Sequence, residues 1–295
     1  MPTAIASTAV STDPHLSGSI ARASAAATAC LEQAGVHPDQ VDVLINVGVY
    51  RDENMAEPAM SALIQKNVGT NLDYLRSGSP ALSFDLMNGA CGMLNAVQVA
   101  GAFLAGDAEF ALVVSGDTHP SGRPDPDFGY AHVGAAMLLS RSADAGTGFG
   151  PVSTATAPGD APGVIGYADL GAVGTRGREL IWVRRDPDYA QRLVEFAAAE
   201  ATRYAAEQGV DLSETLLVAS QPTPTFAAEL AARLGVPADA VVTVHGVDGD
   251  PHTSALTLAY HQAVEAGRAD AYPQALFVAA GAGLSVACSV YHHAG

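Results

Sequence analysis

Blocks of apolar residues alternate with short polar links along the chain, and this pattern predicts alternating helices and buried strands. The segment ATACLEQAGVHPDQVDVLI, residues 27–45, has the pattern of a helix that ends at Gly35, followed by a polar link and an apolar strand. Residues 201–219, ATRYAAEQGVDLSETLLVA, align with it without a gap, and Gly209 takes the place of Gly35. The chain therefore contains an internal repeat of helix, link and strand.

A second pair of similar segments follows the first. The segment CGMLNAVQVAGAFLAG at 91–106 has the same length as HTSALTLAYHQAVEAG at 252–267, and both end in glycine. An apolar strand follows each of them, FALVVSG at 110–116 and ALFVAAGAG at 275–283. Continuous aliphatic runs of this kind are typical of strands that are covered on both faces.

The two repeats together predict a layered α/β fold with internal pseudo-twofold duplication, in which two sheets sandwich two central helices. We place an N-terminal half at residues 1–150 and a C-terminal half at residues 151–295. The Gly-, Pro- and Thr-rich segment SADAGTGFGPVSTATAPGD, residues 142–160, marks the boundary. Alanine-rich helices align easily, so chance similarity is the alternative explanation of the repeats.

Composition excludes several classes of partner. Of the 295 residues, 48% are hydrophobic and 15% are charged, which is enough apolar side chain for a large core. The net charge of −17 repels nucleic acid and anionic lipid surfaces. The sequence has no apolar run of membrane-spanning length and no signal-peptide pattern, so we expect a cytoplasmic location.

The three cysteines are odd in number and widely spaced, which favours neither a disulfide framework nor a zinc site. Cys91 differs from Cys30 and Cys288 because it opens a repeated helix and has Gly89 and Gly92 close by. Backbone N–H groups at a helix N-terminus favour the thiolate, so Cys91 is the candidate nucleophile. A buried structural cysteine is the alternative, and it suits Cys30 and Cys288 better.

The segment NGACGMLNAVQVAGAFLAGDAEFALVVSGD around Cys91 resembles the nucleophile segment of β-ketoacyl-acyl carrier protein synthase III and its thiolase-fold relatives. The resemblance continues through AHVGAAMLLS at 131–140, LLVASQPTPTFAAELAARLGVPADAVVTV at 216–244, PHTSALTLAYHQAVEAGR at 251–268 and LFVAAGAGLSVACSVY at 276–291. It implies a thiolase-like α/β/α/β/α layered fold and a homodimer built across the edge strands.

The resemblance also implies chemistry. In this family a cysteine accepts an acyl group from a thioester, a role that falls here on Cys91. The implied oxyanion hole consists of the backbone N–H groups of Cys91 and Ala282, and each such donor lowers the barrier by about 3 kcal/mol. The implied substrate is acyl-CoA or an acyl group on the phosphopantetheine of a carrier protein, and no resident cofactor is expected.

Two catalytic positions of the family are altered here. Ser220 stands where the family has a histidine in a Pro-His-Gln-Ala-Asn stretch, and His252 stands where it has an asparagine in a Gly-Asn-Thr-Ser stretch. The family uses both residues to hold the enolate oxygen of a malonyl thioester. Ser220 offers a weaker, freely rotating hydroxyl donor, and His252 donates reliably only in one tautomer or when protonated. The exchanges therefore disfavour decarboxylative C–C bond formation.

Cys91 and His252 remain as a nucleophile and a general base. We predict a ketoacyl-synthase-III-like acyltransferase of secondary metabolism that passes an acyl group from Cys91 to an oxygen, nitrogen or water acceptor. Asp250 or Asp248 is expected to orient the His252 ring. One alternative is a synthase-III-type condensing enzyme that forms a C–C bond. Another is a non-catalytic partner subunit that forms a heterodimer with an active ketosynthase homologue.

Other charged and polar residues are weaker candidates. His132 and His119 are candidates for the acyl pocket. An arginine cluster is the candidate contact for CoA or a carrier protein, with an ordinary solvated surface as the alternative; it contains Arg176, Arg178, Arg184, Arg185 and Arg192. We predict no metal site, because the His and Asp spacing around His252 matches no calcium loop.

Overall fold

The computed structural model describes residues 2–73, 75, 78, 80–123, 125–159, 163–174, 177 and 180–294. The strands in these ranges are β1 (Thr3–Ser11), β2 (Val41–Asn46), β3 (Leu82–Asp85), β4 (Phe110–Asp117), β5 (Val133–Arg141), β6 (Gly148–Phe149), β7 (Ser153–Thr156), β8 (Val164–Tyr167), β9 (Trp182–Arg185), β10 (Thr215–Ala219), β11 (Gln274–Gly281) and β12 (Ser285–His292). The helices are α1 (Ser19–Ala34), α2 (Met60–Val68), α3 (Gly92–Leu104), α4 (Leu170–Val173), α5 (Tyr189–Gln208), α6 (Phe226–Leu234) and α7 (Ala255–Glu265).

Both copies of the first repeat form the predicted helix, link and strand. Helix α1 ends before Gly35 and α5 ends before Gly209, and both glycines have a left-handed φ of 66°. Glycine adopts this conformation without the steric cost that a Cβ brings, so it ends the helix. The strands that follow are β2 and β10. In the second repeat, α3 leads to β4 and α7 leads to β11, again as predicted.

The order of the strands also repeats. In the N-terminal part, β1 pairs antiparallel with β5, β5 pairs antiparallel with β4, and β4 pairs parallel with β2. In the C-terminal part, β7, β12, β11 and β10 pair in the same order and directions. This is the topology that an internal duplication produces. The boundary at residue 150 stays a prediction.

The two sets of strands are connected, which the sequence did not indicate. The short strand β6 pairs with β1 on one side and with β12 on the other, so one hydrogen-bonded sheet of ten strands runs through the molecule. The expectation of two separate sheets is therefore wrong in this detail. A two-residue strand carries too little periodicity to be detected from sequence. A separate hairpin consists of β8 and β9.

Three apolar clusters produce the predicted α/β/α/β/α layers. The central cluster contains α3 and α7, which lie between the two sets of strands. A second cluster packs α1 and α2 against the outer face of the N-terminal strands. A third packs α5 and α6 against the outer face of the C-terminal strands. The layered fold expected from the repeats is confirmed, and it places the N-termini of α3 and α7 in the interior.

Helix α1 packs so closely on β4 and β5 that two strand positions require glycine. A Cβ on Gly116 would overlap the backbone carbonyl of Ser19, and a Cβ on Gly134 would overlap that of Arg22. Backbone atoms cannot rotate away as a flexible side chain can, so either change would displace the helix.

We predict that Gly134→Ala lowers the free energy of unfolding by about 1–3 kcal/mol, because the added methyl group pushes α1 off the sheet. Urea unfolding followed by circular dichroism measures this loss. Gly146→Ala is the matched control, since its added Cβ would meet its nearest neighbour, Asp144 Oδ2, at an ordinary 3.5 Å. Equal unfolding midpoints for the two variants would contradict the close packing.

Candidate active site

Cys91 and His252 occupy equivalent places in the two halves of the chain. The 3₁₀ turn Gly89–Cys91 leads into α3, and the 3₁₀ turn His252–Ser254 leads into α7. The two turns pack against each other. The structure thus brings the two helix N-termini together, as their matching positions in the repeats predict.

The turn after β11 closes on the turn that precedes α3. A Cβ on Gly89 would lie 3.0 Å from Ala282, and a Cβ on Gly281 would lie 2.8 Å from the Cβ of Ala90. Both contacts are tighter than side chains normally allow, so glycine is required on each side. Ala282 has a φ of 51° and His252 a φ of 44°, which residues with a Cβ rarely adopt. Strained backbone of this kind concentrates at functional sites.

The thiol of Cys91 is sealed inside the protein. The residue has no solvent exposure, and its sulfur lies 3.9 Å from the carbonyl oxygen of Ala279. Burial raises the pKa of the Cys91 thiol to about 12. The expectation that the helix N-terminus makes Cys91 a thiolate is therefore wrong for this closed arrangement. Desolvation of the charged form raises the pKa more than the backbone hydrogen bond at Ala287 lowers it, and a base must remove the proton.

The backbone N–H of Cys91 is already engaged. It donates to the carbonyl oxygen of Asn88 at 3.0 Å within its own turn. An oxyanion at this place would have to share or replace that hydrogen bond. The oxyanion hole expected from Cys91 and Ala282 stays a prediction.

The imidazole of His252 is oriented by Asp117, a residue that the sequence analysis missed. His252 Nδ1 lies 3.1 Å from Asp117 Oδ1. The carboxylate of Asp117 is fully buried, and its Oδ2 accepts hydrogen bonds of 2.7 Å from the hydroxyls of Thr253 and Ser254. Asp250 was expected to orient the ring, and this is wrong: its Oδ1 accepts the backbone N–H of His252 at 2.8 Å.

A signal for Asp117 was present in the sequence. It is the last residue of the apolar strand β4, where an acidic side chain interrupts a buried run. Residues at the carboxyl ends of such strands face the region where binding sites form in α/β folds. No sequence pattern indicated which distant side chain it would meet.

Two carboxylates control the protonation of His252. Burial opposes a charged imidazole, but the hydrogen bond and the charge of Asp117, together with the charge of Asp250, raise the pKa of His252 above its ordinary 6.5. Burial also raises the pKa of Asp250 to about 6. When Nδ1–H donates to Asp117, neutral His252 keeps Nε2 as a proton acceptor.

Aromatic side chains cover the histidine. The rings of Tyr130 and Tyr50 have centroids 4.7 Å and 5.5 Å from that of His252, and Phe128 packs on both tyrosines. The guanidinium of Arg185 lies 4.8 Å above the ring of Tyr130. Tyr50 was not singled out from the sequence.

Ser220 is buried, and its hydroxyl oxygen accepts the backbone N–H of Ala280 at 3.0 Å. This contact fixes the position of the oxygen, while the O–H of Ser220 remains able to donate. Its role in catalysis stays a prediction.

The two histidine candidates lie at the edge of the site. His132 Nδ1 is 3.2 Å from the hydroxyl of Thr118, and burial lowers the pKa of His132. His132 also lines a cavity together with Tyr130. His119 is buried with its Nδ1 2.8 Å from the hydroxyl of Ser121, and its ring packs on Phe128 at 5.1 Å. The described residues give neither of them a hydrogen bond to His252.

The arginines do not form one patch in the part of the chain that is described. Arg184 and Arg185 are neighbours on β9, so their side chains leave opposite faces of the strand, and Arg185 extends over Tyr130. Arg192 forms ion pairs of 3.8 Å and 3.5 Å with Asp186 and Asp188. The remaining two candidates lie outside the described residues; they are Arg176 and Arg178. A carrier or CoA contact stays a prediction.

In the part of the chain that the structure describes, no group of three or more His, Cys, Asp or Glu side chains is arranged to hold a metal ion. Among the helices in the same ranges, none has both the length and the hydropathy of a membrane span.

Comparison with known proteins identifies the class of fold. A family model described as 3-oxoacyl-[acyl-carrier-protein (ACP)] synthase III C terminal matches residues 206–293. The search of curated protein sequences found no match. The structure of 3-oxoacyl-(acyl carrier protein) synthase III from Pseudomonas aeruginosa PAO1 superposes with a TM-score of 0.84 at 19% identity, covering 100% of this chain and 99% of that chain.

Two other solved structures have the same fold. The priming β-ketosynthase of the R1128 polyketide biosynthetic pathway has a TM-score of 0.79 and 20% identity, covering 99% of this chain and 96% of that one. OleA of Xanthomonas campestris, solved with lauric acid and lauroyl-CoA, has a TM-score of 0.78 and 17% identity, covering 99% of both chains. The chain therefore has the thiolase-like α/β fold of synthase III over its full length.

We predict that the His252–Asp117 pair stabilises the fold most at low pH. The raised folded pKa of His252 means that its contribution is fully present below pH 6.5 and is lost as pH rises through the folded value. His252→Asn should cost about 1–3 kcal/mol below that pH and less above it. Urea unfolding of both proteins across a pH series measures the difference. A cost that grows with pH would contradict the pairing.

Proposed function

We propose that this chain is an acyltransferase that carries an acyl group on Cys91 and passes it to an oxygen or nitrogen nucleophile, with His252 as general base. The observation that carries the proposal is the hydrogen bond of 3.1 Å between His252 and Asp117, in a turn packed against the turn of Cys91. A carboxylate that holds Nδ1–H leaves Nε2 as the proton acceptor, which is the arrangement of a nucleophile and an oriented base.

The first half of the reaction loads the enzyme. Because the pKa of the Cys91 thiol is raised, the thiol does not lose its proton unaided. His252 Nε2 removes this proton, and the sulfur attacks the thioester carbonyl. The N–H of Ala282, on the turn beside Cys91, is the proposed donor to the oxyanion. The C–S bond of the thioester breaks, and the departing sulfur of CoA or of a carrier takes the proton from His252 and leaves as a thiol.

The second half of the reaction transfers the acyl group from Cys91 to the acceptor. An O–H or N–H group of the acceptor gives its proton to His252 while the oxygen or nitrogen attacks the acyl carbon. The C–S bond breaks, and the sulfur of Cys91 receives the proton from His252. Asp117 accepts the Nδ1–H of His252 and stabilises the imidazolium that forms in each half, so it is a positioning residue.

Transfer to a heteroatom is supported over condensation by the two altered positions. Condensation with malonyl thioester requires two donors aimed at an enolate oxygen. Neutral His252 that donates Nδ1–H to Asp117 has Nε2 as a proton acceptor, so it is not a second donor in that state. The O–H of Ser220, whose oxygen accepts the N–H of Ala280, is then the one donor at the two altered positions.

The donor is proposed to be acyl-CoA or an acyl carrier protein. The solved OleA contains lauroyl-CoA, which makes lauroyl-CoA a suitable first test compound. The homodimer that the resemblance implied, and a role in secondary metabolism, belong to the same proposal.

A second candidate function is a non-catalytic subunit that pairs with an active ketosynthase homologue. The complete burial of Cys91, with its pKa raised to about 12, favours this alternative, because a thioester reaches the sulfur only after residues around it move. The strained backbone of Ala282 and His252 favours catalysis, since a purely structural subunit has no need of it.

We predict that incubation with lauroyl-CoA and a panel of shorter acyl-CoA and acyl-carrier thioesters adds one acyl mass to the protein. Intact-mass spectrometry measures the adduct. It should disappear in Cys91→Ala and persist in Cys30→Ala, a matched control because Cys30 is also a buried free cysteine. If no donor gives an adduct, the acyl-enzyme proposal is contradicted, and the non-catalytic subunit is the remaining candidate function. Release of carbon dioxide from malonyl-CoA would instead support condensation.

We also predict that His252→Gln slows discharge of the acyl-enzyme to an acceptor by about 10²–10⁴-fold. The wild-type discharge rate should fall as pH drops through the raised pKa of His252, and the variant should lose this dependence. Stopped incubations analysed by intact mass measure both. His261→Gln is the matched control, because His261 lies on α7, the helix that follows the turn of His252, and contacts Thr8 instead of Asp117. An unchanged pH profile in His252→Gln would refute the base role.

A further inference from the structure

The main chain of His252 is held in a conformation that requires support from its neighbours. Its φ of 44° lies in the left-handed region, which residues with a Cβ adopt rarely and only where surrounding groups enforce it. The chain after His252 is fixed by the N–H of Ser254, which donates to the carbonyl oxygen of Pro251 at 2.9 Å. The N–H of His252 itself donates to Oδ1 of Asp250 at 2.8 Å. The side chain of Asp250 thus holds the strained residue at its N–H.

The backbone of Asp250 is in turn anchored to the segment that carries Tyr130. The N–H of Asp250 donates to the carbonyl oxygen of Gly129 at 3.1 Å, and the carbonyl oxygen of Asp250 accepts the N–H of Ala131 at 2.8 Å. The two segments form an isolated parallel bridge at Tyr130 and Asp250. A Cβ on Gly249 would lie 3.0 Å from the carbonyl oxygen of Gly129, so the two segments are in close contact. Asp250 is therefore a fixed point from which His252 is placed.

Two contacts of the imidazole depend on this placement. Nδ1 of His252 lies 3.1 Å from Asp117 Oδ1, and the ring of Tyr130 has its centroid 4.7 Å from that of the imidazole. A histidine side chain is short, so a change in the main-chain φ moves the whole ring. Loss of the left-handed conformation would consequently move Nδ1 away from Asp117 and leave Nε2 without a defined direction.

We propose that Asp250 is a positioning residue for His252, and that its carboxyl oxygen fixes the left-handed main chain from which Nδ1 reaches Asp117. Asp250 acts on the backbone N–H of His252, whereas Asp117 binds the ring. The part of Asp250 in acyl transfer rests on the proposed function, whereas its hold on His252 does not.

Asp250 also affects His252 through its charge, and the two effects are separated by different variants. Burial and the guanidinium of Arg185 lower the pKa of His252, whereas Asp117 and Asp250 raise it. Two phenols with pKa values raised by burial also face the imidazole, those of Tyr50 and Tyr130. Asp250→Asn removes the charge but keeps a side-chain oxygen that accepts the N–H, whereas Asp250→Ala removes both.

The geometry is tested by nuclear magnetic resonance of the Cys91→Ala protein, labelled with ¹⁵N in histidine, which forms no acyl-enzyme. The resonance of the proton on Nδ1 of His252 is assigned by its absence in His252→Gln. It should persist in Asp250→Asn and disappear in Asp250→Ala. Asp248→Asn is the matched control, because it removes an exposed carboxylate from the same loop and should leave the resonance unchanged. Loss of the resonance in Asp250→Asn, or its persistence in Asp250→Ala, would overturn the proposal.

A second variant covers the case in which Asp250→Ala does not fold, which the other histidine resonances reveal. Asp250→Leu fills nearly the same volume as the wild-type side chain and offers no acceptor. The Nδ1 proton resonance should disappear in this variant too, and its persistence there would equally overturn the proposal. The titration midpoint of His252 should fall in Asp250→Asn, because the charge that raises its pKa is lost.

Discharge of the acyl-enzyme tests the part of Asp250 in the reaction. At a pH where His252 is neutral, Asp250→Asn should discharge to the acceptor at close to the wild-type rate. Asp250→Ala should discharge more slowly by roughly 10²-fold, which is the cost of a misplaced catalytic group. Equal discharge rates in the two variants would contradict this part of the proposal.

The results for Asp250 and for the enzyme are distinguishable. If the Nδ1 resonance is lost in Asp250→Ala and wild-type Cys91 forms no acyl adduct, the positioning of His252 is supported and the acyltransferase function is contradicted. If an adduct forms and the resonance persists in Asp250→Ala, the acyl-enzyme is supported and the role of Asp250 is overturned.

Discussion

The burial of α3 and α7 between two sets of strands is the constraint on which the site depends. Each helix contacts strands from both halves of the chain, so neither can shift without disturbing the central core. Their N-terminal turns consequently meet at one place in the interior. The turn after β11 closes on the turn before α3 through glycine contacts that allow no added methyl group. The turns of Cys91 and His252, which are far apart in sequence, thereby become neighbours.

Burial disfavours the charged form of both principal side chains, but only one of them has a buried charged partner. For Cys91 the backbone hydrogen bond at Ala287 offsets only part of the desolvation, and the pKa of the thiol is raised. For His252 a buried carboxylate outweighs desolvation and makes the imidazole easier to protonate. In the proposed reaction, the thiol becomes reactive when its proton moves to His252. The same low-dielectric interior that makes the thiol inert strengthens the interaction of His252 with Asp117.

Local patterns predicted most of the fold. The stops at Gly35 and Gly209, the matching helices and the buried strands all depend on residues close together in the chain, and they lie where the repeats predict. The candidate site was predicted in part. The positions of Cys91 and His252 came from the repeats, whereas Asp117 was missed, and Asp250 was given the ring contact that Asp117 makes. The two-residue strand β6, too short to show a period, was also missed.

The sequence by itself determined the order of helices and strands, the duplication and the two residues that begin the central helices, because periodicity and glycine stops act over a few residues. Only the tertiary structure decided which carboxylate holds His252, and that Cys91 is buried where desolvation raises the pKa of its thiol. Asp117 and His252 are 135 positions apart, and desolvation depends on all the surrounding atoms. No local sequence pattern indicates which distant residues pair or which side chains lose contact with solvent.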